Sequence, residues 1–333
     1  MNVLSLFDGM SCGQIALNRT GIKYDNYFAS EIDKHAIQVT QKNYPNTIQL
    51  GSVTEIKSEN LPEIDLLIGG SPCQGFSFAG KQLNFDDSRS KLFFEFVRLL
   101  KETKPKYFLL ENVKMKKGYQ DVISKYLDVE PIEINSDKLS SQSRKRLYWT
   151  NIPNVKQPKE NNITIKDILE IKKEGEKVIF NNGIFKTKAK NGKNIIIEDN
   201  YIPPFTIYET RTEEGKLERK RLYKLLGKDT TPRSSKYKEY RIRKINKFNC
   251  LLTTESPLDL VVDEDYNLRY LTISEMEKIQ TIPLNYTNVN GVSNRQKRRM
   301  LGNGWTVDVI AHIFKNIKEV GNLKSIKYNN QSK

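Results

Sequence analysis

Three of the 333 residues are cysteine (Cys12, Cys73, Cys250) and two are histidine (His35, His312). The cysteine count is odd and no spacing is that of metal ligands, so neither a disulfide framework nor a zinc site is expected, and no metal is assigned. No window approaches the ~18 apolar residues of a membrane-spanning helix. Met1 to Phe7 carries no charged leader or cleavage site and runs at once into a glycine turn. The chain therefore reads as soluble and from a reducing compartment. Internal repeats are absent. So is the G-x-G-x-x-G fingerprint, since Gly9 and Gly13 are four apart, which argues against a nicotinamide-dependent oxidoreductase.

Acidic residues are also in deficit. Lys and Arg number 55 against 40 Asp and Glu, for a formal charge of +15. That excess favours a polyanionic partner, nucleic acid first; the blander alternative is a basic solvated surface. At 37% hydrophobic, the chain can bury a real core, in one large domain or two modest ones.

The first half alternates strand, turn and helix. Strands are expected at 3–7, 24–30, 65–68 and 107–110, with a short one within 47–53, and helices at 14–19, 34–43 and 91–103. Unbroken apolar runs between helices predict an α/β, doubly wound, mostly parallel sheet covered on both faces. Near residue 155 the character changes to short polar segments with Asn-Gly turns at 182–183 and 191–192. Residues 211–247 hold fourteen Lys or Arg against five Asp or Glu, with Tyr223, Tyr237 and Tyr240 interleaved. This stretch is read as a smaller, irregular, basic domain facing nucleic acid, the alternative being a flexible basic insertion. Helical periodicity returns at 272–280 and 307–318.

In a parallel sheet, ligands bind beyond the carboxyl ends of the strands. Cys73, in Ser71-Pro72-Cys73-Gln74, and Glu111, in Glu111-Asn112-Val113, each follow such a strand and are expected to face one crevice. A thiolate that adds to an electron-poor ring and a carboxylic acid that supplies a proton suit covalent catalysis. Alone, Cys73 reads as a small buried hydrophobe and Glu111 as an ion-pair partner. Phe7 to Gly13 is a glycine turn after a strand, and Glu31 ends the next strand, where a carboxylate can hold ribose hydroxyls or simply start a helix. Gln142-Ser143-Arg144-Lys145-Arg146 alternates, so its two arginines are expected on one strand face.

Taken together, these residues resemble the cytosine-C5 DNA methyltransferases over roughly 1–153 and 266–318. Phe7–Gly13 looks like the first S-adenosylmethionine motif, Ser71 to Ser77 the nucleophile motif, Glu111-Asn112-Val113 the acid motif and Gln142-x-Arg144-x-Arg146 the Gln-Arg-Arg motif. Arg269 to Glu275 and Gly302-Asn303-Gly304-Trp305 resemble the ninth and tenth. Phe7-Asp8-Gly9, Ala29-Ser30-Glu31 and 294–309 lean towards the animal de novo enzymes, whereas 75–94 looks like bacterial modification enzymes. Two departures occur: Ser52 stands where an acidic residue normally meets the adenine amine, and Ser90 replaces a glycine.

The resemblance implies a Rossmann-like methyltransferase with catalytic and cofactor parts at 1–160 and 266–333 and target recognition at 161–265. It implies S-adenosylmethionine as cofactor, held by Phe7, Asp8, Gly9, Gly13, Glu31, Ile32, Ser52, Val53, Pro72, Leu92, Asn303 and Trp305. Cys73 would add to C6 of a flipped-out cytosine in double-stranded DNA while Glu111 donates to N3. Arg146 would hold O2, Arg144 would bind phosphate or orient the loop, and Gln74 with 75–90 would close over the base. Ser77, Arg89, Arg219, Lys220, Arg221, Arg241 and Arg243 are the candidate DNA contacts. A monomer in the cytoplasm of a bacterial or phage-infected cell is expected. The same chemistry on RNA is the main alternative, although the Cys-Phe-Thr signature of the transfer-RNA branch is missing; a catalytically silent DNA-binding protein is the other.

Overall fold

The computed structural model describes residues 1–72, 88–170, 176–177, 180–181, 184–185, 195–196, 204–227, 238–242, 246–254, 260–264 and 267–327. The first half gives β1 (Asn2–Leu6), α1 (Cys12–Thr20), β2 (Asn26–Ser30), α2 (Lys34–Asn43), β3 (Ile48–Gln49), β4 (Leu66–Gly69), α3 (Ser88–Thr103), β5 (Tyr107–Val113), α4 (Lys117–Leu127), β6 (Ile132–Asn135) and β7 (Lys145–Thr150). These strands form one sheet in the order β3-β2-β1-β4-β5-β7-β6. The pairs from β3 to β5 are parallel, and β7 runs antiparallel to both β5 and β6. The expected α/β, mostly parallel sheet is thus present.

Alternation along the strands explains why both faces are covered. Val3, Leu66, Ile68, Tyr107 and Leu109 belong to one apolar cluster, with Ile15 of α1 and with Phe314 from the last part of the chain. Leu4, Leu6, Leu67, Phe108 and Leu110 point the other way, onto Phe93, Phe96 and Leu99 of α3 and Ile123 of α4. A strand buried on both faces has no polar side to display, hence the unbroken apolar runs. The chain order reverses between β1 and β4, which opens the crevice beyond their carboxyl ends.

Residues 176–270 contribute a second sheet: β8 (Glu176–Lys177), β9 (Phe180–Asn181), β10 (Ile184–Phe185), β11 (Ile195–Ile196), β12 (Phe205–Arg211), β13 (Lys238–Ile242), β14 (Leu260–Val262) and β15 (Asn267–Tyr270). Their order is β8-β15-β14-β12-β13-β11-β10-β9. β9 and β10, which flank Asn182-Gly183, pair antiparallel, as do β10 and β11, which flank Asn191-Gly192; both dipeptides lie outside the described residues. Between β12 and β13 stands α5 (Glu213–Leu226), and the chain closes with α6 (Ile273–Ile279), α7 (Asn294–Asn303) and α8 (Val307–Lys327), which packs on α1.

Several expectations need correction. The short strand expected within 47–53 is present but only two residues long, because Gly51 turns at φ +72° and Ser52 caps a single 3-10 turn at Val53–Glu55. β5 runs on to Val113, so Glu111 lies in a strand rather than after it. The basic stretch expected as short polar segments holds the fourteen-residue α5. Neither α5 nor α7 shows a clear apolar period, but both have readable ends. Thr212 caps α5 and Gly227 closes it at φ +65°, while Ser293 and Gln296 form a capping box at α7.

Candidate active site

The turn after β1 lies under one end of the crevice. Phe7, Gly9 and Ser11 all adopt left-handed φ of +56°, +60° and +65°. Two of the three are not glycine, so the turn stores strain of the kind found where backbone must face a ligand. Glu31, just past β2, holds that turn in place. Its Oε2 accepts from Gly9 N at 2.8 Å, and its Oε1 from Ile32 N and Asp33 N, both at 2.8 Å. The carboxylate therefore joins the ends of β1 and β2.

Asp8 is the unusual group. Its Oδ1 accepts from Ser5 Oγ at 2.6 Å and Tyr27 OH at 2.8 Å, but Oδ2 is buried and has no hydrogen-bond partner among the described residues. Burial pushes its pKa from the usual 3.8 up to about 6; the nearby hydroxyls of Ser5, Ser11 and Tyr27 oppose the shift and Glu31 adds to it. Burial likewise pushes the Cys12 thiol up to about 12, so that thiol is an inert part of the core.

Strand register builds the other end. Glu111 pairs with Tyr148 and Val113 with Arg146, so Glu111 and Arg146 are diagonal neighbours on one sheet face. Arg146 Nε meets Glu111 Oε1 at 2.9 Å, with side chains 14% and 11% exposed. Burial works against the charge of Arg146, but Glu111 beside it holds its pKa above the ordinary value. Glu111 Oε2 accepts from Trp305 Nε1 at 3.1 Å. Asn112 turns to the neighbouring strand end and donates to Ser71 Oγ at 3.2 Å, fixing the backbone that leads through Pro72 towards Cys73.

The Gln-Arg-Arg motif divides its work. Gln142 is fully buried and donates to Gln280 Oε1 at 2.7 Å, and its own Oε1 accepts from Leu251 N. Arg144 is also buried and donates to the carbonyls of Gly302 and Gly304 at 3.1 and 3.0 Å. The two arginines were expected to act from one strand face, yet Arg144 precedes β7 and clamps the turn between α7 and α8; this favours orientation of that turn over a phosphate contact. Cys250 Sγ lies 3.0 Å from Arg144 and 3.8 Å from Arg146. Burial opposes ionisation of this thiol, but the two guanidiniums outweigh it and lower its pKa.

These groups enclose a cavity of about 430 Å³. Phe7, Asp8, Gly9, Glu31, Ile32, Ser52, Val53, Pro72, Leu92, Asn303 and Trp305 line it, together with Glu111, Arg144 and Arg146. Gly13 does not; a Cβ there would stand 2.5 Å from Ile68 and 2.6 Å from Tyr27, so its smallness serves helix packing against the sheet. Cys73, Gln74, Ser77 and Arg243 lie outside the described residues; the backbones of Arg89 and Arg241 fall in α3 and β13. Arg219, Lys220 and Arg221 are exposed on α5. Successive helical residues point about 100° apart, so the three fan around the helix instead of forming one row. Arg221 is paired with Glu218 at 2.7 Å.

A family model described as C-5 cytosine-specific DNA methylase matches residues 1–129 and 132–319. The chain belongs to that family. Type II methyltransferase M1.ScrFI of Lactococcus lactis subsp. cremoris is 28% identical over 329 residues, 96% of this chain and 78% of that protein. Orphan methyltransferase M.SPRI of Bacillus phage SPR is 45% identical over 116 residues. That match covers 34% of this chain and only about a quarter (26%) of the phage protein. A protein encoded within an E. coli prophage superposes with a TM-score of 0.64 at 24% identity, over 97% of this chain and 99% of its own. Methyltransferase EhMeth of Entamoeba histolytica does so with 0.63 at 20%, over 96% and 98%. Both likenesses speak for the fold.

Sequence reasoning missed Gly70, Asp33, Arg299 and Cys250 as neighbours of the site. Asp33 and Arg299 form an ion pair at the cavity wall between α2 and α7. The Asp33 N-cap pattern before α2 was one local signal, and Gly70 directly precedes the Ser71-Pro72 segment. Arg299 and Cys250 come from distant segments and leave no spacing to read.

Proposed function

We propose that the chain transfers a methyl group from S-adenosylmethionine to C5 of cytosine in double-stranded DNA, as a bacterial or phage modification enzyme. The observation that carries this reading is the Glu111–Arg146 pair at the cavity wall, with Asn112 holding the backbone that enters Pro72-Cys73. A bare structural ion pair would not need to face a cavity also lined by a strained glycine turn.

Family members generally use S-adenosylmethionine, and the residues present fit it. The cavity volume is ordinary for a small-molecule site. The buried Oδ2 of Asp8, unpartnered among the described residues, suits a cationic ammonium group. Ile32, 78% exposed at the wall beside Ser52 and Val53, offers an apolar face to a purine. Glu31 retains lone pairs for ribose hydroxyls. When bound, the cofactor supplies a methyl group activated by a sulfonium sulfur.

The chain's own residues do the rest. C5 of cytosine is a poor nucleophile. The Cys73 thiolate adds to C6, Glu111 delivers a proton to N3, and Arg146 holds O2, so that C5 becomes enamine-like and can accept the methyl group. Loss of the C5 proton and departure of Cys73 restore the ring. A stacked base is out of reach, so the cytosine must be flipped out. We assign 1–160 and 266–333 to catalysis and cofactor binding and 161–265 to target recognition.

The test is to methylate unmodified genomic DNA, and RNA in parallel, with purified protein and to map 5-methylcytosine by bisulfite sequencing. Methylation of DNA at a defined sequence is expected. Methylation of RNA alone, or of neither, refutes the reading. DNA carrying 5-fluorocytosine at the target should trap the protein covalently, because fluorine cannot leave as a proton.

A further inference from the structure

Trp305 Nε1 bonds Glu111 Oε2 at 3.1 Å, while Arg146 takes Oε1. A carboxylate's terminal torsion is broad and shallow, so one anchor leaves the group free to rotate; two anchors on different oxygens fix its plane. We propose that Trp305 is a positioning residue that sets the orientation of Glu111 and ties it to the cofactor-binding turn. This rests on the reading of Glu111 as the proton donor.

The indole hangs from a backbone that cannot drift. Gly304 O, the carbonyl just before it, accepts from Arg144 at 3.0 Å and from Gln280 at 3.2 Å. Thr306, just after it, donates to Gln280 Oε1 at 2.9 Å. Gly302 is pressed on Leu252, where a Cβ would meet backbone at 2.5 Å. The turn from Gly302 to Trp305 also lines the cavity proposed for the cofactor. Gly70 completes the arrangement: a Cβ there would lie 3.1 Å from both Glu111 Oε2 and Trp305 Nε1, in the space where these two atoms meet. The end of β4, the end of β5 and the turn between α7 and α8 thus converge on one hydrogen bond.

The test is a double-mutant cycle in the full chain, with single-turnover rates and cofactor titrations. Trp305→Phe keeps the ring and removes the donor. It should lower the rate about tenfold, since small misplacement of a reacting group costs one to two orders of magnitude. In a Glu111→Gln background the same substitution should cost less than about twofold, because the group it positions is already disabled. Equal losses in both backgrounds, an unchanged rate in Trp305→Phe, or a loss confined to cofactor affinity would each overturn the proposal. Trp305→His, which keeps a ring N–H, should recover part of the rate and guards against a folding defect in the phenylalanine variant. A near-normal rate for Glu111→Gln alone would instead sink the reading of Glu111, and the positioning role with it.

Discussion

The seven-stranded sheet is buried on both faces, and its loop ends are bonded to one another through Glu31, Asn112, Arg144 and Gln142. α5 of the second sheet is the opposite case. Of residues 213–226 only Gly215 is buried, Glu218 and Leu222 are partly covered, and Leu217, Tyr223, Leu225 and Leu226 face solvent. In the first region a side chain acts through fixed geometry; in the second it acts through charge and exposed surface. Substitutions should therefore change rate in one region and affinity in the other.

The largest effect is expected at Cys73. Cys73→Ser should leave less than a few per cent of the wild-type rate with cofactor binding nearly intact, because a hydroxyl is a far poorer nucleophile than a partly ionised thiol. Cys250→Ser should retain most of the rate; if it, rather than Cys73→Ser, abolishes turnover and covalent trapping, the nucleophile has been misassigned. Glu111→Gln comes next. It should lower the single-turnover rate by about 10²–10⁴ with little loss of DNA binding, since an amide keeps the shape but delivers no proton.

The contrast sharpens in α5. Neutralising Arg219, Lys220 and Arg221 together should weaken DNA binding and leave the single-turnover rate at saturating DNA unchanged. Three phosphate contacts would lower the log–log salt slope by roughly 2–3 units. The fan of the three side chains and the pairing of Arg221 with Glu218 point to about 1–2 instead. A constant slope with a fallen rate would erase the difference between the two regions.

The smallest effect should come from Asp8→Asn. The folded-state pKa of Asp8 is about 6 against 3.8, so between those values the folded chain binds more protons than the unfolded one. Stability from this group is present at low pH, is lost as pH rises through about 4–6, and stays lost at neutrality. Asparagine removes the loss. The variant should melt a few degrees higher at pH 7, with a flatter stability profile between pH 4 and 6, and should bind S-adenosylmethionine more weakly. A lower melting temperature at pH 7 would show that the unpartnered oxygen is satisfied in solution.

Much of the first region was legible locally. α2 falls at the expected residues 34–43, and the turn after β1 lies against the cavity as its glycine suggested. The apolar runs of β1, β4 and β5 are strands because both of their faces are covered. β3 is as short as it is because Gly51 ends it, a tertiary requirement for positive φ that glycine permits but does not announce. α5 and α7 were missed because charged residues mask their period, although their caps were there to read.

By itself, the sequence determined the alternation of strand and helix, the basic excess of 211–247, and the position of Phe7–Gly9 and Glu31 just past strand ends. Those follow from side-chain periodicity and turn chemistry, which act over a few residues. Only the tertiary structure decided between Arg144 and Arg146. They are chemically identical and two residues apart. The register of β7 against β5 brings Arg146 to Glu111, whereas Gly302 and Gly304, more than 150 residues along the chain, surround Arg144 with carbonyls. The same return of the chain gave Glu111 its second anchor in Trp305, because a hydrogen bond between residues 194 apart depends on where the helices pack and not on any pattern a single segment can carry.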